Sequence, residues 1–237
     1  MLKLSRRLTT LVSGLMLLLV AMGSQAETVA STGTNNALQP FTAQYKGRAN
    51  GFAVGNLGVR ELKALGNGRY RLQYRAEALI YTLEETSEFE VMNGQLKPLQ
   101  YRSNRGTFMK RRKTGLDFDW SHMTASFDYK GETGQFALQP GAQDPLSGSI
   151  VLAQLLAPGK STLEYLEADK KGLEANQLEL IDEPVLETEL GKIPTWHLKR
   201  LHHNPKRKTE IWLHRDYPSI PVKVHQIDDT DDFQLEL

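Results

Sequence analysis

From Pro40 onward the chain alternates. Phe41, Ala43 and Tyr45 are separated by polar residues, and Tyr70, Leu72, Tyr74, Ala76, Ala78 and Ile80 interleave with Arg69, Arg71, Gln73, Arg75 and Glu77. A period of two predicts strands with one buried and one wet face, the habit of antiparallel sheet. Further strands are predicted at 53–65, 86–92, 97–104, 115–120, 124–129, 134–138, 161–168 and 173–182. Turn signals at Asn67-Gly68, Asn93-Gly94, Lys130-Gly131 and Lys171-Gly172 separate several of them. Ser161-x-x-Glu164 also matches a helix capping box, so 161–168 has two readings, of which strand is taken.

One segment breaks the alternation. Asp144-Pro145 reads as an N-cap followed by proline at the first helical position, and Pro158-Gly159 is a stop. Between them Leu146, Ile150, Val151, Leu152, Ala153, Leu155 and Leu156 leave almost no polar face. A helix over 145–157 with that pattern is buried, and it is too short to span a bilayer. A single helix lying on the apolar face of a curved sheet satisfies it.

The last 45 residues permit a register argument. Turns at His203-Asn204-Pro205-Lys206, Asp216-Tyr217-Pro218-Ser219 and Asp228–Asp231 set Trp196 opposite Leu213 and Leu198 opposite Ile211. They also set Leu213 opposite Val222, Ile211 opposite Val224, Val224 opposite Leu235 and Gln226 opposite Phe233. A one-residue slip would bury His197, Trp212 and Lys223 instead, so the pattern selects the register. Lys199 beside Glu210 completes a favourable pair on the outer face. The fold class expected is mainly β (α+β): a curved antiparallel sheet or half-barrel of about 10 strands, one buried apolar helix and a C-terminal four-stranded meander at 193–237.

Residues 1–26 read differently. Lys3, Arg6 and Arg7 precede an apolar run from Leu8 to Met22, and Gly23-Ser24-Gln25-Ala26 ends in small residues. That order is a secretory signal peptide with cleavage after Ala26. The expected organisation is therefore a signal peptide at 1–26, a disordered lead-in at 27–40 and a single antiparallel β domain at 41–237, located in the periplasm. After cleavage the chain is not expected to be an integral membrane protein. The formal charge of +1 falls to −2 once the three leader cations leave, which argues against nucleic acid as a partner. With no cysteine, thiol nucleophiles, disulfides and Cys-ligated metals are excluded.

The run Thr188-Glu189-Leu190-Gly191-Lys192-Ile193-Pro194-Thr195-Trp196, with Lys208-Thr209-Glu210-Ile211-Trp212-Leu213, Asp216, Pro221-Val222-Lys223-Val224 and the upstream Gly68-Arg69-Tyr70, resembles a known pattern. The family is an uncharacterised bacterial envelope family catalogued as domain of unknown function thirty-one hundred and eight. The resemblance spans roughly 40–237. It implies a curved sheet similar to lipoprotein-carrier half-barrels, and it transfers no site residues.

Candidate chemistry is sparse. His197, His214 and His225 share a face, with His214 opposite Pro221 and His225 opposite Glu210, but at strand spacing they stand too far apart to ligate one ion. No metal or cofactor is expected. Ser147-Gly148-Ser149 lacks the G-x-S-x-G frame of a nucleophile elbow, and the balance leans away from an enzyme. The glycines at 47, 51, 55 and 58 are expected to bend a strand or admit the helix closely. Arg102, Arg105, Lys110, Arg111, Arg112 and Lys113 form a basic run that either grips phosphates or merely keeps a hairpin soluble, with the acidic stretch Glu77–Glu90 nearby to balance it. The reading carried forward is a non-enzymatic binding or carrier module for an apolar or lipid-like ligand, held by Leu146, Ile150, Ala153, Leu156 and Trp196. The alternative is an envelope scaffold without a small-molecule ligand. The partners are then a lipid or another envelope component.

Overall fold

The computed structural model describes residues 38–78, 81–107, 109–156, 159–229 and 231–237. The expected signal peptide and nearly all of the lead-in lie outside them. Eight strands come first: β1 (Phe41–Ala49), β2 (Phe52–Gly66), β3 (Arg69–Ala78), β4 (Tyr81–Met92), β5 (Gln95–Thr107), β6 (Lys110–Asp119), β7 (Thr124–Tyr129) and β8 (Glu132–Ala137). Helix α1 (Gly148–Leu155) follows. Seven more strands complete the chain: β9 (Thr162–Asp169), β10 (Gly172–Asp182), β11 (Val185–Thr188), β12 (Gly191–Arg200), β13 (Arg207–His214), β14 (Pro221–Asp228) and β15 (Asp231–Glu236).

All pair antiparallel in one fifteen-stranded sheet of order β8-β7-β6-β5-β4-β3-β2-β1-β15-β14-β13-β12-β10-β9, with β11 beside β12. The expectation of about ten strands is corrected upward. Two-residue turns such as Asn67-Gly68 and Asn93-Gly94 divide the chain without spending loop residues, both positions taking the positive φ that hairpin turns demand. Residues 161–168 fall on β9, a strand. The four-residue β11 between Pro184 and the turn at Leu190 is too short for its period to stand out.

The sheet does not close on itself: β8 and β9 are its two edges. Between them runs the segment 138–147. Gln143 accepts from Ala168 N–H and donates its own N–H to Leu166, while its Nε2 donates to Leu96 O. An unpaired edge is thereby partly covered from within.

The helix explains the curvature. Ile150 packs in a cluster with Leu62, Leu72, Phe89 and Leu116 from the first half of the sheet. Leu152 packs in another with Leu163, Leu178, Leu198 and Leu213 from the second half. The sheet curls around α1 so that its two halves cover two sides of a mostly apolar helix, with Gln154 left exposed. Each fully buried leucine contributes roughly 1.5–3 kcal/mol. The helical segment is shorter than 145–157, beginning at Gly148, yet Asp144 still organises its entry: Oδ1 accepts from the N–H groups of Leu146 and Ser147.

The C-terminal meander has the expected register on two of its three hairpins. Trp196 faces Leu213, Leu198 faces Ile211, Val224 faces Leu235, Gln226 faces Phe233, and Lys199 faces Glu210. Between β13 and β14 Ile211 faces Val224 and Glu210 faces His225, but a bulge after Trp212 sets Leu213 opposite Pro221, not Val222. His214 consequently does not face Pro221; its N–H donates to Ile220 O. The extra residue lets both Leu213 and Val222 remain buried.

Candidate functional site: a buried arginine in an apolar cavity

Inward-facing residues of β1–β4, β14 and β15 do not all reach the helix. They leave a cavity of about 660 Å³ floored by Pro145, Leu146 and Ser149 at the start of α1. Ala76, Leu83, Val224, Phe233 and Leu235 give it apolar walls. Ala49 and Phe52, Ala78 and Tyr81, and Asp228 and Asp231 are the last pairs of their hairpins, so all three turns stand at the same end of the sheet. Ala49, Tyr81, Asp228 and Asp231 line the cavity, which places its mouth at that end.

At its inner end sits Arg60, only 6% exposed. Its parity on β2 is that of Leu62, so alternation aims it inward. Nη2 donates to Ser149 Oγ at 2.6 Å. Among the described residues its Nε has no hydrogen-bond partner, and neither has the buried Tyr45 hydroxyl beside it. Among the described residues no carboxylate forms an ion pair with the guanidinium, whose one side-chain partner is Ser149. Burial pulls the Arg60 pKa down, opposed by Tyr45, Tyr74 and Glu85, but a guanidinium stays charged in proteins. Burial likewise pushes the Tyr45 hydroxyl up to about 12 and Tyr74 further still. Both phenols are therefore neutral donors. Glu85 is held by Tyr101, whose hydroxyl donates to Oε1 at 2.6 Å.

Gly58 makes the wall possible. A Cβ there would stand 3.1 Å from the Tyr74 ring and hydroxyl. This glycine admits Tyr74, not the helix; the close helix–sheet approach is at Gly148, whose added Cβ would meet the Tyr165 ring at 2.5 Å. Shifts of register between β1 and β2 near Gly47 show the expected local bending.

Of the five residues expected to hold a ligand, Leu146 lines this cavity. Ile150 is fully buried in the helix–sheet cluster, and Leu156 and Trp196 pack against the second cluster. Ala153 is half-buried on the helix. A second hollow of about 570 Å³, at the opposite end, takes Val151 and Leu155 from the helix with Trp120 and Tyr165. Arg60 escaped the sequence reading because a charged residue within Val59-Arg60-Glu61 reads as wet; its parity with Leu62 was the signal.

The other candidates are engaged by partners within the fold. Ser149 Oγ donates to Leu146 O, and no histidine lines the cavity. His197 and His225 pair with Asp182 and Asp232, at 2.9 and 3.0 Å. Among the described residues no three His, Asp or Glu converge as a metal-ligand group. Arg102 forks onto Asp117 at 2.8 and 3.0 Å, and Glu88 is taken by Arg71 and Arg69, so the acids of 77–90 do not neutralise the basic run by ion pairing among the described residues. No helix among the described residues is long and apolar enough to cross a membrane.

An open, barrel-like antiparallel sheet wrapped around one apolar helix, with a half-enclosed apolar cavity, is the class of molecule these features define. The chain belongs to the family described as Protein of unknown function (DUF3108), whose model matches residues 40–237. It is also similar to the crystal structure of a β-barrel-like protein of domain of unknown function DUF1849 from Brucella abortus. That match has a TM-score of 0.56 and 13% identity, covering 84% of this chain and 96% of the other. At such identity the likeness is one of fold. A comparison with curated proteins finds no match.

Proposed function

We propose that this is an exported, non-enzymatic binding or carrier protein of the periplasm whose ligand is a lipid-like amphiphile with an anionic head. One observation carries the reading: a guanidinium buried in an apolar cavity, with its Nε and a neighbouring phenol unpartnered. A buried guanidinium that no carboxylate ion-pairs among the described residues is costly, and Glu85, which acts on it through space from the same cavity, is already taken by Tyr101. A carboxylate or phosphate beside Arg60 supplies the missing acceptor, and the Tyr45 hydroxyl adds a neutral donor. The chain of the ligand then lies along Leu83, Phe233 and Val224 toward the mouth. The volume suits a small ligand, since such sites span roughly 300–1,000 Å³.

The test is titration with a fluorescent fatty acid. Saturable one-to-one binding is expected, weakened at least tenfold in Arg60→Met. No binding by the wild type, or equal binding by both, rejects the reading. Export is checked separately: N-terminal sequencing of the envelope fraction is expected to begin at Glu27, and Met1 retained in the cytoplasm contradicts it.

A further inference from the structure

Seven hairpin or loop connections turn at the end of the sheet where the cavity opens, and their charges are not evenly spread. The turn between β14 and β15 is acidic, with Asp228, Asp229, Asp231 and Asp232. The β5–β6 hairpin is basic, the β9–β10 turn carries Lys170 and Lys171 beside Asp169, and the β7–β8 turn carries Lys130 between Asp128 and Glu132. Lys110, Arg111, Arg112 and Lys113 are all exposed on β6, and among the described residues none of them makes an ion pair. The fold adds cations that lie far away in sequence. Lys170 Nζ, from the β9–β10 turn, stands 3.8 Å from the centroid of the Tyr129 ring on β7, and Lys130 Nζ stands 5.0 Å from it. Their neighbours Asp128 and Asp169 are engaged by backbone, each accepting from a turn N–H, of Gly131 and Lys171 respectively. Arg112 and both lysines act together on Tyr129, lowering the pKa of its phenol behind a hydrogen bond from Lys130.

Apolar side chains project from the same end. Met109, at the tip between β5 and β6, is 94% exposed, and Phe52, at the start of β2, is 77% exposed. Gly106 keeps that tip tight: its φ is +137°, and a Cβ there would lie 2.1 Å from Lys110 O. A protruding methionine ringed by unpaired cations fits one surface chemistry, an apolar layer beneath an anionic one. A macromolecule with only surface charge would satisfy the cations and leave Met109 in water.

We propose that this rim is the face with which the protein docks on an anionic phospholipid bilayer. The cations of β6 and the β7–β8 and β9–β10 turns meet headgroup phosphates, and Met109 enters the acyl boundary, while Phe52, whose hairpin is hydrogen-bonded to the acidic turn through Asn50 and Asp232, stays outside it. The acidic β14–β15 turn is repelled by the same surface, so the charge asymmetry tilts the molecule onto its basic side. Docking in this pose rests on the carrier reading for its purpose, since it holds the end of the sheet where the cavity opens beside the lipid from which an amphiphile is drawn, with the acidic lip of the mouth, Asp228 and Asp231, lifted off the surface.

Co-sedimentation with vesicles tests it. Wild-type protein is expected to bind vesicles containing phosphatidylglycerol at least tenfold more strongly than pure phosphatidylcholine, and raised salt should weaken that binding through screening. The triple variant Lys110→Glu, Arg111→Glu, Arg112→Glu should lose it, and so should Lys170→Glu, a change on a different hairpin. Met109→Asp should reduce binding while leaving the circular dichroism spectrum and fatty-acid titration unchanged. Fatty-acid binding without any preference for anionic vesicles overturns docking and spares the carrier reading. Vesicle binding by a protein that binds no fatty acid supports docking and removes the carrier reading. Equal vesicle binding by wild type and all three variants, or displacement of an acidic polypeptide or nucleic acid by the variants with no vesicle effect, overturns docking.

Discussion

Arg60 reaches across the interior from β2 to the first turn of the helix, its Nη2 2.6 Å from Ser149 Oγ. The contact joins the sheet to the cavity floor, and it raises the question of whether the arginine serves the fold or the ligand. Replacing buried ionic groups by apolar residues of similar volume is often neutral or stabilising, by up to about 4 kcal/mol where a whole ion pair is replaced, and Arg60 has no ion-paired partner that its loss would strand among the described residues. Arg60→Met should therefore unfold in urea no earlier than wild type while losing the fluorescent fatty acid. A variant that loses several kcal/mol yet binds as before would assign Arg60 to architecture alone.

Asp144 makes stability depend on pH in an unusual direction. Its carboxyl is fully buried, and burial raises its pKa from the ordinary carboxylate value to about 6, only partly offset by hydrogen bonds from Ser87, Ser147 and Leu146. The folded chain then holds a proton that the unfolded chain has already released. Stability from this group is full below about pH 4 and is lost as pH rises through 6, by about 2–3 kcal/mol. Asp144→Asn keeps an acceptor for the two backbone donors and removes the titration. Urea midpoints measured from pH 4 to 7 should fall for wild type relative to the variant. Parallel curves for the two proteins would show that Asp144 does not titrate in this range.

The bulge after Trp212 has a thermodynamic signature. Leu213 and Val222 are both 1% exposed although they no longer face each other across the hairpin. Leu213→Ala should cost about 2–4 kcal/mol through the cavity it leaves. Lys223 lies on the outer face, where its Nζ is 3.1 Å from Glu236 and over the Trp212 ring. Lys223→Ala should stay within about 0.5 kcal/mol. Equal losses at the two positions in urea unfolding would contradict the assignment of faces.

These residues also mark how far sequence patterns carry. Alternation alone identifies the inner face of β3, β13 and β15, because each strand there buries one parity of large apolar side chains, whereas β12 buries both Ile193 and Leu198 and so changes parity along its length. It does not see the bulge, since a single extra residue leaves both leucine and valine in plausible places. It also hides Arg60, whose type says surface while its parity with Leu62 says core. The apolar helix was legible from composition, but the space beside it was not: a cavity depends on which side chains fall short of one another, as Ala49 and Ala76 do. The basic rim has two origins. Its β6 portion is a visible run, whereas Lys170 and Tyr129 meet only because β7 and β9 lie near the two sheet edges.

The last prediction separates the cavity from the rest of the helix surface. Ala76 lines the cavity wall between β2 and β4, paired with Gly58 and Leu83. A phenylalanine at this position can occupy the cavity instead of displacing packed atoms, so stability should change little while the fatty acid loses its place. Ala153 sits on the helix, outside the residues that line the cavity. Ala153→Phe crowds the helix–sheet packing, at a cost of about 1–3 kcal/mol, and should leave the affinity for the probe unchanged. Titrations of the two variants beside unfolding curves give four values with a crossed pattern: binding lost with stability kept at 76, stability lost with binding kept at 153. If Ala153→Phe abolishes binding and Ala76→Phe does not, the ligand lies along the helix and not in the arginine cavity.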